Sequence, residues 1–535
     1  VRKSESEFLE VIGRVKGVVG TNRQKTTGKL WNLKQHLTHM PMNHLPPGIR
    51  AFVAELAEGM LNLENPKRGA QAEFDSLMFH AHQFVPKDVP DTFAQVLLEE
   101  VMVRDEYPSE DSITSIISSV KMDSSPGFPL TQMLPEVGRP TNADFFNRWG
   151  PEELCHAALA RLSLIVHFST EEIEAMSAVD RINHGLCDPV KVFIKQELHS
   201  KSKAQDKRWR IIASVSLIDQ LVQRILYTRQ NETEIAQFGL GVKCPSLPGM
   251  GGDDESLRRL ASLISGMEWP TGDDISYFDF SQQEWHLDFD AHRRTFLKYG
   301  QFSKQSEYVK AGKLYGKMVY MLSDGSLYAQ TRTCWMKSGE YKTSSGNSAT
   351  RVLAEKLVKL QLLREAGETD VVSDERFPFL GEDYALGDDH FGDLGPVLRL
   401  LAKDSAELAY LSDPSGPEAR RWLASVAAKY KKCHADVNGW KVKVFESFKT
   451  DSLEFCGNSY RKEGGEIVAT PTHAPKIIAN YFNTWPNASE REQRMSDVMR
   501  ELRNHDLARE FFIALEVAVA ASCGQSGPAG GSRDN

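Results

Sequence analysis

The stretch Gly272-Asp-Asp-Ile-Ser-Tyr-Phe-Asp-Phe-Ser-Gln-Gln-Glu284 decides how this chain is read. A short strand-like run carries Asp274, a turn follows, and Asp279 stands beyond four intervening residues. Ser281-Gln-Gln-Glu284 has the capping-box pattern, so a helix is expected to start there and run to about Lys298. Both carboxylates then lie on the strand end and turn that precede the helix. Clustered acids with no His or Cys beside them suit hard cations such as Mg²⁺. On this stretch alone the plainer reading is stronger: acids decorate turns and favour helix N-termini. Asp273 is expected to point away, since strand neighbours face opposite sides, which leaves one inward ligand.

Working outward, Leu380-Gly-Glu-Asp-Tyr-Ala-Leu-Gly-Asp-Asp-His-Phe-Gly392 reads as a hairpin with Gly387, Asp388 and Asp389 at its turn. Asp-rich hairpins are common, so the weight lies in the combination. If Asp388 faces Asp274 across a sheet, two divalent ions can be clamped about 3.5–4 Å apart for in-line phosphoryl displacement. Between the two stretches lies Lys337-Ser-Gly-Glu-Tyr-Lys-Thr-Ser-Ser-Gly-Asn-Ser348, followed by a helical run from Ala349 to Glu365. Its glycines and small hydroxyl residues permit close approach of a backbone or ligand, and Asn347 offers both a donor and an acceptor. A polar capping loop is the competing reading. Upstream, the twenty residues Lys191 to Arg210 hold seven Lys and Arg, the densest basic run. Placed beside a carboxylate centre they would neutralise a triphosphate, with Arg210 suited to bidentate contact. The interleaved Val192, Phe193 and Ile194, and then Ile211-Ile-Ala-Ser-Val-Ser-Leu217, look like embedded strands rather than a solvated loop.

Composition bounds the rest. A chain of 535 residues suggests three to four lobes or one large multi-lobed enzyme. With 41% apolar and 26% charged residues it is an ordinary globular chain, not a disordered, collagenous or small disulfide-stapled one. The net charge of −9, from 64 Lys+Arg against 73 Asp+Glu, argues against a surface that coats nucleic acid throughout, but not against a local basic channel. Seven cysteines without a Cys-x-x-Cys pair make a disulfide framework or Cys-rich zinc site improbable and fit a reducing compartment. The apolar run Phe511 to Ala521 falls short of the ~20 residues of a membrane span, contains Glu516, and is expected to be a buried helix. The charged start Val1-Arg-Lys-Ser-Glu lacks the apolar run of a secretory signal. Proline breaks the pattern at 40–47 and 83–91, a Gly/Pro loop spans 244–254, and the tail from Gly524 to Asn535 is expected to be disordered. From 273 to 460 short strand-like and long helical runs alternate, an α+β pattern.

Taken in order, these segments resemble the RNA-dependent RNA polymerases of positive-strand RNA viruses, above all the sobemovirus-like group of solemovirids and barnaviruses. Ser124-Ser-Pro-Gly-Phe-Pro129 resembles motif G, and Val192-Phe-Ile-Lys-Gln-Glu197 through Arg210 to Gln220 resembles motif F. Asp274 to Trp285 is similar to motif A, Ser338-Gly339 with Thr343-Ser-Ser345 and Asn347-Ser348 to motif B, and Gly387-Asp-Asp389 to motif C. Gly439-Trp-Lys-Val-Lys443 is a looser match to motif D, in which Lys443 fits the glycine spacing better than Lys441, and Leu453-Glu-Phe-Cys-Gly457 resembles motif E. Two positions depart from the pattern: His199 stands where related enzymes commonly carry Arg, and Tyr277 where Gly is frequent. His390, after the acid pair, has no assigned role.

The resemblance implies an α+β right-hand fold whose antiparallel palm sheet packs on helices. Its segments would be an N-terminal extension with fingertips (1–120), fingers (121–272), palm motif A (273–300), a fingers insertion (301–335), palm motifs B to E (336–460), thumb (461–520) and a flexible tail (521–535). It implies that Asp274 and Asp388, assisted by Asp389, hold Mg²⁺, with Mn²⁺ as a substitute, and that Lys443 acts as general acid. Lys195, Lys203, Lys207 and Arg210 would bind the triphosphate; Asp279, Ser338, Thr343 and Asn347 would bind the nucleotide, reading its ribose. Ser124, Gly127, Phe128, Gly339, Phe455 and Cys456 would contact template or primer. The implied partners are an RNA template, nascent RNA and nucleoside triphosphates, with a protein primer and other viral replication proteins as further candidates and no membrane span of the chain's own. The implied location is the host cytoplasm, at replication complexes. Whether synthesis starts de novo or on a protein primer stays open. Two other functions compete: a catalytically silent RNA-binding scaffold, which would need none of the acids, and a reverse transcriptase, which generally carries a bulky residue where Asp279 stands.

Overall fold

The computed structural model describes the chain apart from residues 1, 5, 19–33, 36, 38–46, 94–112, 240–244, 368–379, 451, 485, 487–488 and 525–535. The expected tail disorder, most of the 40–47 break and the start of the 244–254 loop thus lie outside the described residues. The main elements of the N-terminal half are β1 (Leu9–Arg14), α1 (Pro47–Leu61), β2 (Leu63–Glu64), α2 (Ala70–Gln83), α3 (Asn142–His167), β3 (Val190–Ile194), β4 (His199–Ser200), β5 (Ile211–Ser214) and α4 (Leu217–Gly239). There follow β6 (Pro270–Ile275), α5 (Glu284–Tyr299), α6 (Glu307–Gly316), β7 (Val319–Met321), β8 (Ser326–Gln330), α7 (Thr343–Glu365), β9 (Asp383–Leu386) and β10 (Asp389–Asp393). The C-terminal part holds α8 (Pro417–Asn438), β11 (Val442–Ser447), β12 (Leu453–Phe455), β13 (Asn458–Glu463), β14 (Glu466–Pro471), α9 (Ala474–Asn483) and α10 (Asp506–Gly524).

Two compact units emerge, Val1–Asn22 with Arg68–Lys195 and Lys207–Cys456, and Arg23–Lys67 with Gln196–Asp206 and Gly457–Asn535. Residues 1–120, expected as one extension, are therefore shared between the units. In the first, β1-β8-β7-β3-β5 form one sheet and β11-β6-β10-β9 another. The apolar residues interleaved in the basic run explain the first sheet: Val190, Val192 and Ile194 are buried, and β3 pairs antiparallel with β5 from Lys191↔Ser214 to Ile194↔Ile211.

The second sheet places the acids. β10 runs antiparallel to β6, with His390 opposite Asp273, and to β9, with Asp389 opposite Leu386. Beneath it pack α7 and α8. Ile275, Phe278 and Val442 meet Val358, Leu362, Tyr430 and Trp440 in one buried cluster. At about 1.5–3 kcal/mol per buried large apolar side chain, this layer holds the sheet in place. Truncating Trp440 to Ala would cost about 3–5 kcal/mol. Gly272 leaves room for β12: a Cβ there would stand 2.5 Å from Leu453 Cδ1.

In the second unit β2 pairs with β4, β13 with β14, and α1, α9 and α10 bury Leu56, Met60, Ile478, Phe482, Phe512 and Leu515 together. The run 511–521 is a helix there, but not buried all round. Phe511, Phe512, Leu515 and Val519 face the core, whereas Ile513 is 43% and Val517 61% exposed. Glu516 turns inward because Arg491 and the Tyr481 hydroxyl receive it. Among the described residues no helix is long and apolar enough to cross a membrane, and the five described cysteines are free thiols.

Two helix starts differ from expectation. α5 is capped by Gln283, not Ser281, and His286 closes the box through its Nδ1, 2.9 Å from the Gln283 N–H. Residues Phe278–Ser281 form a 3₁₀ turn instead, whose tighter winding consumes the Ser281 hydroxyl on the Phe278 carbonyl at 2.8 Å. α7 begins at Thr343, six residues before the expected Ala349, because a buried network below grips its first turns.

Candidate active site

Strand alternation separates Asp273 from Asp274 as expected. Asp274 rises toward the open side, where Lys443 Nζ lies 2.8 Å from its Oδ2, with side chains 65% and 46% exposed. The register of β11 against β6 slips between Val442 and Val444, so Lys443 is the extra residue of a bulge, a device that re-aims a side chain. Lys441 only lends its carbonyl to the Ser276 N–H at 2.9 Å.

The β9–β10 turn, with Gly387 at φ 66°, brings Asp388 and Asp389 to the same end of the sheet. Its Gly387 N–H donates to Ser348 Oγ at 2.8 Å, tying the hairpin to α7 one residue beyond Asn347. Crowding by the surrounding protein, and then the charge of Asp274, raises the Asp388 carboxyl above its usual range, although the residue borders solvent. Asp389 is pushed up to about 7 by burial, by Asp388 and by Asp274, against a hydrogen bond from Cys456. Three mutually repelling carboxylates thus converge, and their all-oxygen donor set fits a hard divalent cation.

Asp279 stands beside them in the 3₁₀ turn that Tyr277 opens in the left-handed region at φ 57°. Glycine adopts that conformation without the steric cost that a side chain brings. Asn347 Nδ2 donates to Asp279 Oδ1 at 2.7 Å, and Asn347 Oδ1 is buried with no partner. Burial raises Asp279 to about 6, the Asn347 bond opposes it, Asp388 adds to the rise and Arg210 counters. Arg210 therefore lies close enough to act on both Asp279 and Asp388.

Below the sheet, on the side of Asp273, lies a second set that sequence reading missed. Fully buried Arg351 pairs with Asp273 and with Glu355. His390 bonds Asp273 Oδ1 at 2.8 Å and Asp383 Oδ1 at 3.1 Å, and Lys359 Nζ reaches Asp383 at 2.8 Å. His434 Nε2 lies 3.0 Å from Glu355, and the Tyr430 hydroxyl bonds both Asp273 and Glu355. Burial alone would raise Asp273, but the Arg351 guanidinium outweighs it and holds the carboxyl below its usual range. Burial opposes charge on His390, yet Glu355 and the two carboxylate bonds raise it to about 9. Asp273–Glu355–His434 and Glu355–Asp383–His390 each have ligand atoms within 4.8 Å of one another. Arg351 and Lys359 already supply their positive charge, so these groups fit a structural role better than a metal. The signals for them in sequence were the unassigned His390 and Asp273, expected to point away from the open side.

The remaining expected residues divide. Lys195 extends the β3–β5 ladder through its N–H to the Arg210 carbonyl at 2.8 Å, and Lys207 turns the chain at φ 55°. Lys203 is exposed on the short helix Lys201–Gln205, which belongs to the second unit. His199 in that unit is 3% exposed, its Nδ1 held 2.8 Å from the Glu197 carbonyl, a packed side chain rather than a phosphate ligand. Ser338 Oγ accepts from the Ala213 N–H at 3.1 Å, and a Cβ on Gly339 would stand 2.3 Å from the Ala213 carbonyl oxygen, so this loop lies directly on β5. Thr343 spends its hydroxyl on the carbonyls of Lys337 and Glu340, both at 2.9 Å. Gly127, at φ 72°, abuts the Ser216 backbone, with half-buried Ser124 and Phe128 around it. Phe455 is 1% exposed and edge-on to Phe391 at 4.8 Å, a core side chain beneath the hairpin, while Cys456 touches Asp389.

Comparison with known proteins finds viral polymerases and replicases similar to this chain. A family model described as viral RNA-directed RNA polymerase matches residues 60–261, a stretch that ends before Asp274. The replicase polyprotein P2AB of Southern bean mosaic virus is 36% identical over 318 residues, covering 55% of this chain and 31% of that protein. The corresponding polyprotein of Cocksfoot mottle virus is 33% identical over 335 residues, 58% of this chain and 34% of its own length. The RNA-directed RNA polymerase of Mushroom bacilliform virus is 40% identical over 226 residues, 41% of this chain and 51% of that protein. The chain thus spans about a third to a half of the relatives it matches. The resemblance read from the motifs stands: this chain is similar to the viral RNA-directed RNA polymerases, sobemovirus and barnavirus proteins among them.

Proposed function

We propose that the chain copies an RNA template into RNA from ribonucleoside triphosphates, as the polymerase of a viral genome-replication complex in the host cytoplasm. The observation that carries this reading is the meeting, at one end of one sheet, of Asp274, Asp388, Asp389, the Asp279–Asn347 pair, Lys443 and the Arg210 charge. In this reading the four-stranded sheet is the palm, the five-stranded sheet belongs to the fingers, and the helices after β14 form the thumb. Mg²⁺, with Mn²⁺ as a substitute, would be held by Asp274, Asp388 and Asp389, lowering the pKa of the primer 3′-hydroxyl and stabilising the pyrophosphate charge.

The chain's own residues do the rest, since phosphoryl transfer asks mainly for positioning and charge neutralisation. Arg210, Lys195 and Lys207 neutralise the triphosphate. Asp279 accepts a hydrogen bond from the ribose 2′-hydroxyl, and the unpartnered Asn347 Oδ1 adds a second acceptor beside it. Lys443, held beside Asp274 until substrate arrives, delivers a proton to the departing pyrophosphate. Ser124, Gly127 and Phe128 guide the template, and Gly339, Phe455 and Cys456 shape the floor under template and primer.

The test is primer extension by the purified chain with Mg²⁺ on an RNA template. Wild type incorporates nucleotide, while Asp388→Ala abolishes incorporation and leaves RNA binding largely intact. Retained synthesis by Asp388→Ala contradicts the assignment.

A further inference from the structure

Helix α2 (Ala70–Gln83) lies outside every polymerase motif, yet three of its residues, one helical turn or so apart on a shared face, grip distant segments, and two of them, Ser76 and His80, hold the segment that leads to Arg210. Glu73 accepts the Ser323 N–H at 2.7 Å on the β7–β8 turn. Ser76, wholly buried, donates to the Lys207 carbonyl at 3.1 Å and accepts from the Trp209 N–H at 3.0 Å, clamping the turn that precedes Arg210. His80 hydrogen-bonds the Trp209 backbone as well, and its ring stacks on Phe280, centroids 4.5 Å apart and planes 9° from parallel. Phe280 is the residue next to Asp279. Beside this contact Phe79 stands edge-on to Tyr277 at 5.2 Å, and Arg208 Nη1 reaches the Tyr277 hydroxyl at 3.4 Å.

A single ring therefore joins the two strands of the nucleotide site that lie far apart in the chain: the basic segment ending at Arg210 and the turn bearing Asp279. A buried imidazole is a costly choice if only volume were needed, since an apolar ring would fill the space without desolvating nitrogens. Burial, and then the nearby Arg208 charge, hold its pKa near 4 against the Trp209 bond, so the ring is neutral at neutral pH and neither repels Arg210 nor pairs with Asp279.

We propose that His80 is a positioning residue for sugar choice: by bonding Trp209 and stacking on Phe280 it sets the separation between the phosphate-binding Arg210 and the ribose-reading Asp279. This rests on the polymerase reading above. Without the ring, triphosphate and ribose cannot both be held at their partners, and the part of binding that depends on the 2′-hydroxyl is lost first.

The test compares kcat/KM for UTP and dUTP on a poly(A) template with an oligo(U) primer and Mg²⁺, for wild type, His80→Ala, His80→Phe and Ser76→Ala. Loss of one hydrogen bond's worth of alignment lowers the UTP/dUTP ratio about five-fold in His80→Ala. His80→Phe, which keeps the stack and loses the bond, falls between, and Ser76→Ala lowers the ratio from the other side of the clamp. A destabilised variant remains informative, because the ratio of two constants from one preparation cancels the folded fraction, whereas a purely structural role lowers both constants together. A wild-type ratio in both His80 variants overturns the inference. A wild-type chain that incorporates no UTP overturns the polymerase reading, and this inference with it.

Discussion

Replacing Asn347 by Ala removes a side-chain hydrogen bond that holds Asp279 toward its ionised form, the 2.7 Å contact between Nδ2 and Oδ1. Asp279 already sits at about 6, raised by burial first, so it is mostly ionised at pH 7.5. A hydrogen bond to a charged acceptor contributes about 1.5–3 kcal/mol. At 1.36 kcal/mol per pH unit, its loss moves the Asp279 midpoint upward by about one to two pH units. The variant then holds a substantial fraction of Asp279 protonated at pH 7.5, and a protonated carboxyl is a poorer acceptor for a 2′-hydroxyl. The assay is the UTP/dUTP ratio of kcat/KM followed from pH 6 to 9. In wild type the ratio should rise with a midpoint near 6. In Asn347→Ala it should be lower throughout, since the amide contact itself is gone, and its midpoint should lie at more alkaline pH, so that much of the loss is recovered at pH 9. A variant whose midpoint coincides with wild type would refute the electrostatic argument, and an unchanged ratio would refute the ribose assignment altogether.

Further expectations concern the support beneath the site. Arg351→Met leaves Asp273 and Glu355 buried without their guanidinium, a loss of about 3–5 kcal/mol, visible as a lowered Tm; an unchanged Tm would show that the histidines neutralise the acids unaided. Gly339→Ala drives a methyl group into the Ala213 carbonyl and should cost about 1–3 kcal/mol while raising the KM for nucleotide, and an unaltered KM would detach this loop from the site. His286 is buried with a pKa of about 3, lowered by burial, against about 6.5 in an unfolded chain. Below about pH 6.5 the unfolded chain takes up a proton that the folded one refuses, so stability is lost as pH falls from 6.5 toward 3. Between pH 7.5 and 5 the loss is on the order of 2 kcal/mol. The Tm of wild type should accordingly drop further over that interval than that of His286→Gln, and equal drops would contradict it.

Much of the acidic end of the sheet was legible because its arrangement depends on nearest neighbours. The period of two in a strand separates Asp273 from Asp274, and Gly387 before two acids makes a turn. The basic run could be read as strands because apolar residues alternate through it, and β3 and β5 are where that pattern put them. What escaped was set by contacts between distant segments. No local pattern announces that Arg351 threads between Asp273, 78 residues upstream by number, and Glu355, or that the bulge at Val442/Val444 turns Lys443 to Asp274. The early start of α7 was hidden because Ser, Gly and Asn are poor helix formers, and there the Arg293, Arg294 and Glu234 network holds Ser345 in place of propensity. The capping box moved by two residues because the 3₁₀ turn claimed Ser281, leaving a histidine in an unusual capping role. Composition could not show that Ile513 and Val517 face outward, since periodicity within an almost wholly apolar run is weak.

The most direct measurement is a structure of the chain with template, nascent strand, nucleotide and Mg²⁺ bound. Two ions about 3.5–4 Å apart, shared by the carboxylates of Asp274 and Asp388 with Lys443 released from Asp274, are the predicted result. Ions seated instead among Asp273, Glu355 and His434, or carboxyls of Asp274 and Asp388 standing roughly 10 Å or more apart around the bound nucleotide, would contradict the account.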